Sequence, residues 1–220
     1  MTELSDQTGQ LIITADDWGY SPRYDAGIEE AARAGAVDAV SVLALRPASD
    51  PQPLLDCGVE IGLHLELPER RGRREVLDAP RRQVEAFGRL FGAPPDYIDG
   101  HHHCHASGPA LEAVSALAAR LDVRVRSVGD EDRRELRRRG IRTPDRLIGR
   151  LRDDQPPLPL ELQEVRSGTA PPPSGLTEWM VHPGLADAAA GSAFDAARAE
   201  DLALLLELAD DPRLQALRKR

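Results

Sequence analysis

The stretch QLIITADDWGYSPRYDAGIEEAARAG (10–35) decides how the chain is read. Its first seven residues are an apolar run with β-branched Ile12, Ile13 and Thr14, the length and type of a buried strand. A turn over DWGYSP follows, and then apolar residues recur at helical spacing up to Gly35, a helix stop. The same strand, loop and helix alternation continues. Strands are expected over 36–45, 59–67, 97–101, 123–128 and 178–184, and helices over 81–92, 108–122, 130–140 and 193–217, the last with a break at Asp210, Asp211 and Pro212. Alternation of this kind predicts an α/β fold with a mainly parallel sheet.

The 220 residues, 41% of them hydrophobic, suffice for one domain spanning 1–220, with 1–9 a flexible N-terminus. The Pro-rich stretches 47–53 and 170–175 read as surface loops, and the charged run RRGRREV (70–76) as a solvated loop. A formal net charge of −9 argues against nucleic acid and anionic membranes as partners. No apolar run approaches the roughly 18 residues of a membrane span, and the first ten residues lack a signal-peptide core. Cys57 and Cys104 form no CxxC pair, so a reducing, cytoplasmic setting is expected.

All six histidines fall at three places: His64, the cluster His101, His102, His103 and His105, and His182. Each place lies at or near the C-terminal end of an expected strand, as do Asp16 and Asp17. In parallel α/β folds those ends meet on one face, where sites form. One aspartate and two histidines can hold a divalent ion with a position left open, and a second carboxylate beside it can act as general base. Blander readings exist for each. An Asp pair after a strand also serves a turn or an N-cap, a histidine in an apolar strand is often a hydrogen-bonded core residue, and His182 precedes a Pro-Gly turn. The cluster itself reads as metal-binding. In an extended segment His101, His103 and His105 share one side, so His102 and Cys104 are expected to be bystanders and one of the other three a ligand.

ITADDWGYS (13–21), IGLHLEL (61–67), YIDGHHHCH (97–105), VRVRSV (123–128), GIRTPDRLIG (140–149) and MVHPG (180–184) resemble, in order, the motifs of the YdjC-like carbohydrate deacetylases, a branch of the polysaccharide deacetylases. Trp18 stands where that family usually has Phe. The resemblance implies a deformed (β/α) TIM-like barrel of the polysaccharide deacetylase type and one divalent metal, zinc or alternatively magnesium. It implies metal ligands at Asp17, His64 and His101, a general base at Asp16, a general acid at His182, and Arg126 orienting or charge-balancing a site carboxylate. Asp99, His103, His105 and Trp18 are expected to touch substrate or to stand behind the ligands. The segments 46–58 and 67–80 are short where relatives carry a helix and a longer loop.

The expected activity is removal of the acetyl group from N-acetylated amino sugars or short chitooligosaccharides. A metal-dependent phosphoesterase is the alternative enzyme, although a Gly-rich phosphate loop and a second ligand set are missing from the sequence; a catalytically inactive sugar-binding relative is the alternative outside catalysis. A homo-oligomer is left open.

Overall fold

The structure, a computed structural model, describes residues 9–46, 49–67, 72–151 and 155–218. The expected flexible N-terminus therefore lies outside the described residues except for Gly9, as do 47–48 of the first Pro-rich loop and 70–71 of the charged run.

Strands β1 (Gln10–Trp18), β2 (Ala39–Val42), β3 (Glu60–Leu65), β4 (Tyr97–Gly100), β5 (Arg124–Val125), β6 (Arg146–Gly149) and β7 (Leu176–Val181) form one sheet in the order β5-β4-β3-β2-β1-β7-β6. Every pairing is parallel. Helices α1 (Pro22–Arg33), α2 (Gln52–Cys57), α3 (Arg73–Phe91), α4 (Gly108–Leu121), α5 (Asp130–Arg138), α6 (Leu160–Ser167), α7 (Asp195–Leu208) and α8 (Pro212–Gln215) supply the crossovers and the closing layer. Between β5 and β6 the chain itself bridges the opening: Val125 N–H donates to Arg142 O at 2.9 Å, and Asp145 N–H donates to Leu176 O at 2.8 Å. The result is the expected α/β barrel in open, curled form.

Period-two alternation sorts the strand residues. Leu11, Ile13, Ala15, Val40, Leu63, Ile98 and Trp179 join the main core under the helices. Ile12, Ala39 and Tyr97 form a separate small core on the inner face. Gly62 makes room there for the Tyr97 ring, since a Cβ at Gly62 would lie 2.3 Å from it. Above this apolar layer the inner face turns polar, with Asp16, Ser41, His64, Asp99 and Glu178 all buried. That polar layer is the floor of the site.

Helix α1 starts as its sequence dictates: Ser21 Oγ caps it by accepting from Tyr24 N–H at 3.2 Å, and Pro22 occupies the first turn. Two expectations about loops need correction. Part of the stretch 47–53 is not loop, because α2 begins at Gln52. Nor is 70–76 all loop, because α3 begins at Arg73, where Glu75 Oε2 accepts from Gly72 N–H at 2.8 Å. Pro80 inside α3 costs about 3 kcal/mol. The buried stripe of Val76, Ala79, Ala86 and Phe87 outweighs it, at roughly 1.5–3 kcal/mol for each large apolar side chain. Strand β6 and helix α6 were not expected at all; both are short and poor in periodicity.

Asp25 on α1 is fully buried and holds the β1–α1 loop, accepting from Gly19 N–H at 2.6 Å and Ser49 Oγ at 2.7 Å. Burial pushes its carboxyl up from 3.8 to about 6 despite those bonds. A raised acid pKa means the folded state holds the proton more tightly than the unfolded one, so stability falls as pH rises from 3.8 through about 6. Asp25→Asn keeps an acceptor for Gly19. It is expected to match wild type near the lower end of that window and to exceed it above the upper end by on the order of 1 kcal/mol in denaturant unfolding. A stability difference independent of pH would count against this.

Candidate active site

Strand β1 delivers both aspartates through an irregularity. Its register with β2 shifts between Ala15 and Trp18, and Asp17 takes a left-handed backbone with φ of 76°. Few side chains other than Gly accept that region without cost, so the surrounding contacts hold it in place. The bulge lets Asp16 stay on the inner face while Asp17 also reaches the mouth. It turns Trp18 away: its ring is fully buried against Phe91, with a centroid distance of 6.1 Å, and Nε1 donates to Glu29 Oε1 at 3.1 Å. Trp18 is a core residue and does not line the cleft.

Three donor atoms converge beside the bulge. Asp17 Oδ1 lies 2.9 Å from His101 Nδ1 and 3.3 Å from His64 Nε2, and the ligand atoms of the three residues lie within 4.8 Å of one another. His64 is oriented from behind, since its Nδ1 donates to Asp99 Oδ1 at 2.7 Å and so leaves Nε2 facing Asp17. Asp99 Oδ2 in turn accepts from Ser41 Oγ at 2.7 Å. Burial pushes the Asp17 carboxyl up, but hydrogen bonds from His101 and His64 and the charges of His64 and Arg198 hold it well below the usual carboxylate range. Burial pushes His64 down, and the charges of Asp99 and Asp16 with the bonds to Asp17 and Asp99 bring it well above the usual imidazole range.

Asp16 faces a guanidinium instead. Arg126, fully buried just beyond β5, donates from Nη1 to Asp16 Oδ2 at 2.6 Å and from Nη2 to Asp16 Oδ1 at 2.8 Å, a two-point clamp. The same guanidinium reaches Asp99 Oδ2 at 2.9 Å and Glu178 Oε1 at 2.8 Å. Although burial opposes its charge, Asp16, Asp99 and Glu178 keep Arg126 protonated far above its ordinary range.

The histidine cluster is not extended, which overturns the expectation of alternating sides. Residues His101–His103 form a 3₁₀ turn in which His102 and His103 have φ of 49° and 56°. Consequently His101, His102 and His103 all line the cleft. His102 stacks obliquely on His101 with centroids 4.0 Å apart and is no bystander by position. His105 instead turns inward: it is fully buried, its Nε2 donates to Arg126 O at 2.9 Å, and burial pushes it down to about 4. Cys104 does lie away from the cleft, with Sγ donating to Leu65 O at 3.1 Å.

The cleft holds about 490 Å³ and is lined by Asp16, Asp17, His64, His101 and His182, the residues expected to meet. His182, just past β7, stacks face to face on Phe194 with centroids 4.9 Å apart and planes 2° from parallel. Burial pushes its imidazole down to about 4, against the pull of Asp17 and Asp16, so it stands neutral near pH 7. Sequence reading missed Ser41, Glu178, Arg198, Phe194, Tyr20 and Arg150. Glu178 had a usable signal, being a lone acid in the apolar strand LTEWMV. Arg198 and Phe194 had none, because α7 comes to the mouth only through tertiary packing.

The donor set fits a divalent ion: one carboxylate oxygen and two imidazole nitrogens, one of them oriented by a carboxylate, beside an open cleft. Among the described residues a second group, Asp16, His64 and Asp99, is also close enough to offer ligands, but Arg126 already engages both oxygens of Asp16 and one of Asp99.

The chain is similar to several known proteins. A carbohydrate deacetylase of Homo sapiens is 33% identical over 163 residues, 54% of this chain and 50% of that protein. One from Geobacillus stearothermophilus is 29% identical across 93% of this chain and 91% of its own. This chain spans about half the length of the mammalian relatives it matches. Among solved structures, a protein from Enterococcus faecalis V583 named for cellobiose-phosphate cleavage superposes with a TM-score of 0.76 at 21% identity, covering 96% of this chain and 94% of its own. A family 4 carbohydrate esterase from Streptomyces lividans, solved with acetate, gives 0.52 at 13% identity over 94% and 88%. These two likenesses establish a fold, the deformed barrel of the polysaccharide deacetylase type. The family model described as YdjC-like protein matches residues 10–80 and 68–216, which takes in every strand of the barrel and every residue at its mouth, and the chain therefore belongs to the YdjC-like family.

Proposed function

We propose that the chain is a metal-dependent hydrolase that removes the acetyl group from N-acetylated amino sugars or short chitooligosaccharides. The observation that carries this reading is the meeting of Asp17 Oδ1, His64 Nε2 and His101 Nδ1 next to a separate, Arg126-clamped Asp16. The names of the family's curated members, carbohydrate and chitooligosaccharide deacetylase, support the substrate class.

In this reading Asp17, His64 and His101 hold one divalent ion, zinc by the donor set and magnesium as the alternative. When bound, the ion supplies Lewis-acid polarisation of the acetamide carbonyl and activation of water. Asp16 accepts the proton of the attacking water, and Arg126 fixes the direction of its lone pairs. Attack forms the new C–O bond, the C–N bond breaks, and the sugar leaves as the amine with acetate as the other product. His182 protonates that amine. Because the imidazole is neutral in the free chain, its proton has to arrive with substrate or during the reaction. His103, on the cleft wall, and Asp99, behind His64, orient substrate and ligand respectively. Tyr20, Phe194 and Leu151 give the cleft the apolar surface that a sugar ring's C–H face prefers. Cytoplasmic residence belongs to the same reading and rests on composition, on two cysteines that form no disulfide, and on the lack, among the described residues, of a helix long and apolar enough to cross a membrane.

The test is acetate release from N-acetylglucosamine oligomers by zinc-loaded protein, beside phosphate release from sugar phosphates. Acetate without phosphate is the expected outcome. Phosphate release alone would move the assignment to a phosphoesterase.

A further inference from the structure

Asp17 divides its two oxygens between different partners. Oδ1 faces His64 and His101, while Oδ2 accepts from Arg198 Nη2 at 2.6 Å. Arg198 comes from α7, 181 positions away in the chain, and is fully buried. Its guanidinium lies over the Tyr24 ring at 4.0 Å, and the Tyr24 hydroxyl donates to Asp195 Oδ1 at 2.8 Å on the first turn of the same helix. Behind it the backbone leaves little slack, since a Cβ at Gly184 would come within 3.2 Å of Arg198 Cδ.

What Arg198 does not do is equally informative. Its Nε and Nη1 are buried without a hydrogen-bond partner among the described residues, and its contact with Ser192 Oγ is long at 3.4 Å. A buried arginine kept for structure uses its fork of five donors, because each one left unpaired costs free energy. This one concentrates a single short, charged bond on Asp17 and takes the rest of its compensation from an aromatic face. We infer that Arg198 is a positioning residue that reserves Asp17 Oδ2, so that a divalent ion meets only Oδ1 and meets a ligand set whose charge Arg198 cancels. This rests on the reading of Asp17, His64 and His101 as a metal site.

The consequence is a trade between affinity and reactivity. Asp17 contributes one negative charge and Arg198 one positive charge, so once an ion takes the place of the His64 proton and both imidazoles are neutral, the three ligands together with Arg198 sum to zero. An ion held by such a set keeps more of its own charge to act on a carbonyl, and it is held less tightly than by an uncompensated carboxylate. Loss of a merely structural side chain would weaken the site; loss of this one should strengthen it.

The experiment measures zinc affinity by competition with a chromophoric chelator for wild type, Arg198→Gln and Arg198→Lys, with near-UV circular dichroism to verify folding. Arg198→Gln should bind zinc tighter by about tenfold or more, from removal of a like charge close to the ion. Arg198→Lys, which keeps the charge, should fall back towards wild type. Equal or weaker zinc binding by folded Arg198→Gln overturns the inference and leaves the metal site standing, whereas wild type that takes up no zinc overturns both. If Arg198→Gln does not fold, infrared difference spectra of wild type on zinc addition decide. A widened carboxylate splitting, as for single-oxygen coordination, supports the reserved oxygen, and a narrow one, as for two-oxygen coordination, overturns it.

Discussion

Asp16→Asn is expected to take up metal like wild type and to lose about 10²–10⁴-fold in kcat, the usual worth of a general base. The geometry separates the two aspartates. Asp17 shares an oxygen with both histidines, while Asp16 spends both of its oxygens on Arg126. Asparagine is close in size and retains one acceptor for the guanidinium, so the barrel floor should survive while the basic group is gone. Elemental analysis and steady-state acetate release on the same sample check it. An emptied site, or turnover near wild type, would show that the adjacent pair is not a base beside a ligand.

Arg126→Met should have the largest effect on stability. Arg126 is the shared cation of three buried carboxylates, Asp16, Asp99 and Glu178, and its removal takes the only ion-pair partner from Asp16 and Glu178 among the described residues and leaves Asp99 with His64 alone. Breaking a buried ion pair from one side costs about 3–5 kcal/mol, and here two partners are stranded at once while a third loses one of its two cations. The variant is expected to be largely unfolded at neutral pH and to regain structure as the solution is acidified enough to protonate the stranded acids. Denaturant unfolding measured across pH tests this. Loss under 1 kcal/mol, or a loss that does not shrink in acid, would mean that the cluster is not held by its charge.

Most of the barrel was legible because its strands are apolar, evenly spaced and separated by helices with ordinary stop signals. What escaped was short or disguised. Strand β6 has only four residues, RLIG, with an exposed arginine at its start, and Pro80 masked the continuity of α3. At the mouth, the location of Asp16, Asp17, His64, His101 and His182 followed from strand ends alone. The arrangement inside the cluster did not: two successive left-handed residues, His102 and His103, convert an expected extended segment into a tight turn, and no side-chain pattern announces that. The bulge at Asp17 reverses Trp18 for the same kind of reason. Arg198 reaches the site from the last long helix, through contacts that exist only once the barrel has closed.

The most direct measurement is acetate release as zinc is added back to chelator-stripped protein, followed together with bound zinc, for wild type, His101→Ala and His102→Ala. Wild type and His102→Ala should gain activity in proportion to bound metal and saturate at about one ion per chain, as expected of a three-ligand site, while His101→Ala should bind little zinc and release little acetate. Acetate release that is indifferent to metal, or full metal uptake by His101→Ala, would contradict the account.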